Sequence, residues 1–278
     1  MNTFIIYISP AGTTREIAHT IEKTCQVLGH TVRSFDLGNK IKVSEIAQCI
    51  KETAGEICVF IGSPVYACHA VPPIMEMISQ LPERSESYSV PFVTYGVVTS
   101  GVALHEMANM LNGKGYHVIG AAKILTVHSL MWQLKNPLGA GHPDEIDKKM
   151  IEDLVKNVDK KCNVKPVRGL SLSQLNYQPE ALRSAMEQIT LDVAREMLPS
   201  RQINQERCTK CGVCAETCPV EAITCDPYPM FGKKCFLCYT CMRLCPEDAI
   251  EADFSQVEGF LREKTKEFSE QPPSGIFL

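Results

Sequence analysis

Cys208-Thr-Lys-Cys211-Gly-Val-Cys214-Ala-Glu-Thr-Cys218-Pro219 spells C-x2-C-x2-C-x3-C-P, and the same spacing returns at Cys235, Cys238, Cys241, Cys245 and Pro246. A cubane iron-sulfur cluster needs four thiolates converging on its iron corners. The tight C-x2-C-x2-C turn supplies three of them, and the fourth must arrive from elsewhere in the chain. Zinc ribbons set their C-x2-C pairs further apart, and disulfides are disfavoured in a reducing compartment, so two complete copies point to cluster chemistry. Nine of the 14 cysteines lie between Cys208 and Cys245. Cys225, the odd one in that window, follows Ala222-Ile223-Thr224 and reads as a buried strand residue; Cys25, Cys49, Cys58, Cys68 and Cys162 read as packing residues on apolar stripes.

A second kind of chemistry is written near the N-terminus. The apolar run Thr3–Ile8 leads into Ser9-Pro10-Ala11-Gly12-Thr13-Thr14 and then into a helical stripe. Such a strand-loop-helix aims successive backbone N–H groups at one point beside the positive end of a helix and lines it with hydroxyls, which suits a phosphate. Read alone, the loop is equally an ordinary helix cap. Two further segments, Ile61-Gly62-Ser63-Pro64-Val65-Tyr66 and Tyr95-Gly96-Val97-Val98-Thr99-Ser100-Gly101, end later strands with glycine-containing loops. The chain has no G-x4-G-K-[ST] loop, and Gly113-Lys-Gly115 and Gly139-Ala-Gly141 lack the third glycine of a dinucleotide fingerprint.

The elements that must position these groups follow from periodicity. Strands are expected at Thr3–Ile8, Thr31–Phe35, Glu56–Ile61, Pro91–Val97 and Gly115–Leu125, and helices at Thr14–Leu28, Ser44–Glu52, Pro72–Gln80, Val102–Leu111 and Asp144–Cys162. Alternation of this kind predicts an α/β, doubly wound, five-stranded parallel sheet, which binds its ligand at the carboxyl edge of the strands. The expected layout is an α/β domain over residues 1–163, a linker and connecting helix over 164–200 with one helix at Pro179–Leu198, a small α+β cysteine domain over 201–254, and a C-terminal helix with a frayed tail over 255–278. The stretch from His128 to Asp144 is longer than a usual strand-to-helix connection. It holds the sole tryptophan, Trp132, which either covers a ligand, faces the cysteine domain or anchors the surface; His128 and His142 are candidate proton carriers there, and Asp144 a helix cap.

Over about 50 residues the cysteine region resembles bacterial-type two-cluster ferredoxins, including Pro219-Val-Glu-Ala-Ile223 and Pro246-Glu-Asp-Ala-Ile250 after each motif. In that family the fourth ligand comes from the other copy. The resemblance therefore implies one [4Fe-4S] cluster on Cys208, Cys211, Cys214 and Cys245, and another on Cys235, Cys238, Cys241 and Cys218. The first loop resembles the S/T-x-T-G-x-T phosphate loop of flavodoxins, with Ser9, Gly12 and Thr14 in register and Ala11 departing from it. This likeness implies the strand order 2-1-3-4-5 for the sheet, and FMN, held at Ser9, Ala11, Gly12, Thr13 and Thr14, flanked by Ser63, Pro64, Val65 and Tyr66 with Tyr66 stacking, and met at its pyrimidine edge by Tyr95, Gly96, Val97, Thr99 and Gly101.

Together the two likenesses cover about three quarters of the chain and are similar to flavodoxin-ferredoxin fusions of anaerobic bacteria and archaea. They imply a cytoplasmic electron-transfer protein that passes electrons between FMN and two [4Fe-4S] clusters and on to redox protein partners. The rival expectation is a flavin-dependent reductase of a small acceptor of the quinone or tetrapyrrole type, with the segment 128–143 as a lid; a third is that the clusters are structural staples. A formal charge of −4 and a pI near 6 leave no basic stripe for nucleic acid. No run of apolar residues is long enough for a membrane span. Paired carboxylates, a nucleophile elbow and a His-metal motif are all missing, which excludes the common hydrolytic classes. Lys233-Lys234 reads as a solvated turn or a weak steering site.

Overall fold

Apolar runs buried on both faces are what a parallel sheet between two helical layers requires, and the first half of the chain folds accordingly. The structure is a computed structural model and describes residues 1–268 and 270–278. Strands β1 (Asn2–Tyr7), β2 (Thr31–Asp36), β3 (Ile57–Tyr66), β4 (His69–Ala70), β5 (Ser87–Tyr95), β6 (Tyr116–Val118) and β7 (Ala121–Leu125) alternate with helices α1 (Thr13–Val27), α2 (Val43–Glu52), α3 (Pro72–Gln80), α4 (Ala103–Gly113) and α5 (Glu145–Cys162). The main path runs β2-β1-β3-β5-β7, all parallel, which is the expected 2-1-3-4-5 order. Alternate residues of one strand serve opposite layers: Phe4, Ile6 and Ile8 join the layer of α2, α3 and α4, whereas Ile5 and Tyr7 join that of α1 and α5.

Several expectations need correction. The third strand does not stop at Ile61; it continues through Gly62-Ser-Pro-Val-Tyr66 because β4 turns back and pairs with its end. The fifth expected strand is divided at Ile119-Gly120 into β6 and β7, which both pair with β5. The connecting helix is also two helices, α6 (Glu180–Glu187) and α7 (Leu191–Met197), with Thr190 capping the second through Val193 N–H. Their apolar residues serve different surfaces: Leu182, Met186 and Ile189 pack on Val102 and Phe268, whereas Leu191, Ala194 and Leu198 pack on the cysteine domain.

The cysteine domain holds β8 (Gln202–Ile203), α8 (Val213–Glu216), β9 (Ile223–Cys225), β10 (Pro229–Phe231), α9 (Thr240–Arg243) and β11 (Ile250–Glu251), followed by α10 (Ser255–Phe268). The tail is not frayed. Residues Gly275–Phe277 form β12, which pairs antiparallel with β7 and covers the edge of the main sheet. Before it lies Glu270, buried, with its carboxylate accepting from Thr99 Oγ1 (2.7 Å), Ser100 N–H (2.7 Å) and Lys123 Nζ (2.7 Å). The last residues of the chain thus tie down a loop at the carboxyl edge of the sheet.

Candidate functional site

The two cysteine motifs share a backbone plan. Left-handed residues recur at equivalent places, Lys210 with Leu237, Gly212 with Tyr239 and Glu221 with Asp248, each pair separated by the interval between Cys208 and Cys235. The last cysteine of each motif accepts one backbone N–H four residues on, Ala222 N to Cys218 Sγ at 3.2 Å and Ala249 N to Cys245 Sγ at 3.3 Å. Cys214, Cys218, Cys235, Cys238 and Cys241 are buried, whereas Cys211 is exposed.

Cys208, Cys211 and Cys214 line one small cavity together with Cys245 of the other motif. Cys218 in turn shares a buried apolar cluster with Cys235 and Cys241, a cluster that also holds Cys214 of the first set, whereas Cys238 packs into the core of the α/β domain. Burial pushes the Cys214 thiol up to about 12, with Cys225 adding to the effect, and raises Cys238 and Cys241 as well. Thiols so desolvated ionise only against a cation, and all-sulfur donors around a shared cavity fit an iron-sulfur cluster. Cys225 departs from the expected buried position: it is exposed on β9, where only Ile223 turns inward, and it lines the cavity of the first cysteine set.

At the carboxyl edge of the main sheet lies a cavity of about 450 Å³. The structure brings Ala11, Thr13, Thr14, Pro64, Val65, Tyr66, Tyr95, Gly96 and Thr99 to its wall. Ser9, Gly12, Ser63, Val97 and Gly101 do not line it. The Ser9 hydroxyl accepts from Arg15 N–H at 2.9 Å and so caps α1, while Ser63 Oγ accepts from Val71 N–H at 3.0 Å to hold the β3–β4 turn. Gly12, at φ 94, opens the loop toward empty space, and the first N–H groups of α1 follow it without intrahelical partners. Thr14 Oγ1 meets Thr94 Oγ1 at 2.7 Å, fixing the loop to β5. Together these features fit a phosphate at the loop and a flat ring system in the adjoining apolar space.

Other residues of the wall were not legible from local motifs. Leu191, Ala194 and Met197 of α7 and Phe260 and Phe268 of α10 form a mainly apolar roof that also carries the Lys264 ammonium, and Leu237 of the second cysteine motif reaches the same cavity. Amphipathic helices announce a buried face but not the surface that it covers. His128 lines the cavity, where burial lowers it to about 4 and its Nδ1 accepts from Leu130 N–H, so it is neutral and unsuited to carrying protons near neutrality. His142 is taken up by Asp147 (2.6 Å) within the capping box of Asp144 at the start of α5.

The connection after β7 docks the two domains together. Trp132 faces the cysteine domain, edge-on to Phe254 at 5.7 Å and under the Arg243 guanidinium at 5.1 Å. Arg243 also donates to Ser129 O (3.0 Å) and Pro10 O (3.1 Å), and Thr240 Oγ1 donates to Pro10 O at 3.3 Å. The segment bearing the second cysteine motif therefore rests on the Ser9–Thr14 loop itself. Tyr66, expected to stack on a ligand, packs against Phe236 of that motif while also facing the cavity; its buried hydroxyl makes no hydrogen bond of ordinary geometry, and burial pushes it up to about 12 against the opposing pull of the nearby Arg243 and Ser129.

Residues 201–224 match the 4Fe-4S binding domain family. No curated protein matches the chain. Among solved structures it is similar to rubredoxin oxygen:oxidoreductase of the anaerobe Desulfovibrio gigas (16% identity over 64% of this chain, TM-score 0.47), although it spans only 37% of that chain. It is also similar to a flavodoxin from the domain Archaea (16% identity, 59% of this chain and 100% of that one, TM-score 0.44) and to flavodoxin 1 of Bacillus cereus (15% identity, 58% and 98%, TM-score 0.43). The strand order itself, more than these likenesses, gives the sheet its flavodoxin-like character. The chain thus joins an α/β domain of flavodoxin-like sheet order to a 4Fe-4S binding domain matched at residues 201–224.

Proposed function

We propose that the chain is a cytoplasmic redox relay, in which an FMN held at the carboxyl edge of the sheet exchanges electrons with two [4Fe-4S] clusters, the outer of which serves redox protein partners. One observation carries this reading: Leu237, inside the second C-x2-C motif, is part of the wall of the cavity at the sheet edge. A cluster on Cys218, Cys235, Cys238 and Cys241 then adjoins that cavity. A cluster on Cys208, Cys211, Cys214 and Cys245 lies on the far side, where Cys211 is exposed and a partner has access. Bound FMN supplies a centre that accepts electrons in pairs and releases them singly, while clusters take one at a time. The protein's part is to hold the groups close and keep water from between them, which the Phe236, Leu237 and Tyr66 contacts do. Ligands that must be thiolates call for a reducing compartment, and no helix among the described residues is long and apolar enough to cross a membrane.

The test is anaerobic purification with an iron and flavin count, followed by rapid reduction of the clusters and observation of the flavin absorbance. About eight irons and one FMN per chain, with electrons passing from clusters to flavin, support the relay. Zinc, no flavin, or clusters and flavin that reduce independently would sink it.

A second reading, a reductase of a small apolar acceptor, is favoured by the roof. Because α7 and α10 cover the outer side of the cavity, the flavin site is screened from a protein partner but can admit a small molecule beside it. Saturable reduction of a soluble quinone that Ala194→Trp abolishes, with iron and flavin retained, would favour this reading over the simple relay.

A further inference from the structure

The two cysteine sets follow one backbone plan but sit in different electrostatic surroundings, and the difference centres on Arg201. Its guanidinium donates to Cys235 Sγ at 3.3 Å and to Cys241 Sγ at 3.6 Å. It lies over two rings, 3.9 Å from the centre of Phe231 and 5.3 Å from that of Tyr239, and the Tyr239 hydroxyl donates to Pro199 O at 3.0 Å to hold the preceding turn. Aromatic neighbours fix a guanidinium and displace water from it. A second guanidinium, that of Arg243, donates to the Cys238 carbonyl at 2.8 Å.

The first set has no such neighbour among the described residues. The residue standing where Arg201 would stand in the other repeat is Tyr228. The nearby Lys210 places its ammonium over the Tyr228 ring at 4.9 Å, not on a sulfur, and Glu247 adds a negative group to the cavity wall.

We infer that Arg201 makes the cluster beside the flavin cavity the more easily reduced of the two, so that electrons entering at the exposed cluster come to rest next to the flavin site. The inference rests on the two-cluster reading above. Each reduction adds one electron to a cluster and no bond is made or broken. The added negative charge is stabilised more strongly where a fixed cation and two N–H donors already face the sulfurs, which raises the reduction potential. Arg201 acts through the ligand sulfurs and is thus a tuning residue.

The experiment is a dithionite titration of the anaerobic holoprotein with redox mediators, followed by electron paramagnetic resonance. Wild type should show two cluster waves, and Cys211→Ala, which disables the outer site, should leave the higher one. Arg201→Met should lower that wave by roughly tenfold in its reduction equilibrium constant, about 59 mV for one electron, and leave the lower wave in place. Arg201→Lys, which keeps the charge but loses the fork of donors, should fall between. If Arg201→Met fails to retain its inner cluster, the Arg201→Lys wave decides. An unmoved upper wave, or both waves shifting together, overturns the inference while the relay reading stands. A single cluster by iron count removes the relay reading itself.

Discussion

Tyr66, at the end of β3, and Phe236, between the first two cysteines of the second motif, stack with ring centres 5.9 Å apart and planes 25° from parallel. One ring borders the cavity at the sheet edge and the other is fixed to a candidate cluster loop, so the pair bridges the two redox sites. Phe236 is almost wholly buried. Phe236→Ala should cost about 3–5 kcal/mol and slow electron exchange between clusters and flavin, read by rapid-mixing absorbance. Tyr66→Phe should do neither. Its hydroxyl is buried without a partner, and removing an unsatisfied polar group is neutral or stabilising. A lower melting temperature for Tyr66→Phe would contradict this account.

The buried Lys123–Glu270 pair, at 2.7 Å, joins the tail to β7 and to the Thr99–Ser100 turn. Glu270→Ala leaves the Lys123 ammonium buried without a counterion and should cost about 3–5 kcal/mol. It should also weaken FMN binding, measured by flavin fluorescence quenching, because Thr99 borders the cavity. The double variant Lys123→Met with Glu270→Leu should recover part of the stability but not the flavin affinity. Unchanged affinity in both variants would show that the tail serves the sheet alone.

Two loop glycines should respond differently to a methyl group. At Gly101, φ is 61 and an added Cβ would lie 1.9 Å from the Cys68 carbonyl oxygen; at Gly12, φ is 94 but the space is open. Gly12→Ala should cost about 1 kcal/mol from backbone strain. Gly101→Ala must displace the 66–68 turn as well and should lose bound flavin. Equal flavin retention in the two variants, by absorbance after gel filtration, would refute the difference.

His128 gives stability a pH dependence of known sign. Burial lowers its folded value to about 4 from an ordinary 6.5. Between those values the unfolded chain binds the extra proton, so stability is fully present above pH 6.5 and falls as the pH drops toward 4, by up to about 3 kcal/mol. His128→Asn keeps an acceptor for Leu130 N–H but cannot titrate. The melting temperature of wild type should fall faster than that of the variant from pH 7 to pH 5; parallel curves would exclude His128 as a source.

Cysteine replacements should separate ligands from the bystander. Cys218→Ala should remove about half the iron, since it deletes one ligand of the second set. Cys225→Ser should keep it all, even though Cys225 lines the first cavity. Iron loss from Cys225→Ser would make that cysteine a ligand and break the expected pairing.

Much of this molecule is legible locally. Parallel strands buried on both faces appear as continuous apolar runs whose alternation with helices announces a parallel sheet, and the β2-β1-β3-β5-β7 order is the one that the flavodoxin resemblance implies. Pro72 at the start of α3 and Asp144 at the cap of α5 mark boundaries that the structure repeats closely. Errors concentrate where a distant partner decides the conformation. β3 runs on to Tyr66 because β4 pairs with it, and Cys225, the last residue of β9, is exposed although strand alternation puts it on the same face as the buried Ile223.

By itself the amino-acid order determined the strands and helices of the α/β domain, the cysteine spacing and the Ser9–Thr14 loop, since each depends on residues within a few positions of one another. Tertiary structure alone decided that Leu237 reaches the cavity, that α7 and α10 roof it, that Glu270 anchors the Thr99–Ser100 turn and that Arg201 serves only one cysteine set. Those contacts join residues far apart in the chain. No local periodicity encodes them, and they arise only when folding has brought the surfaces together.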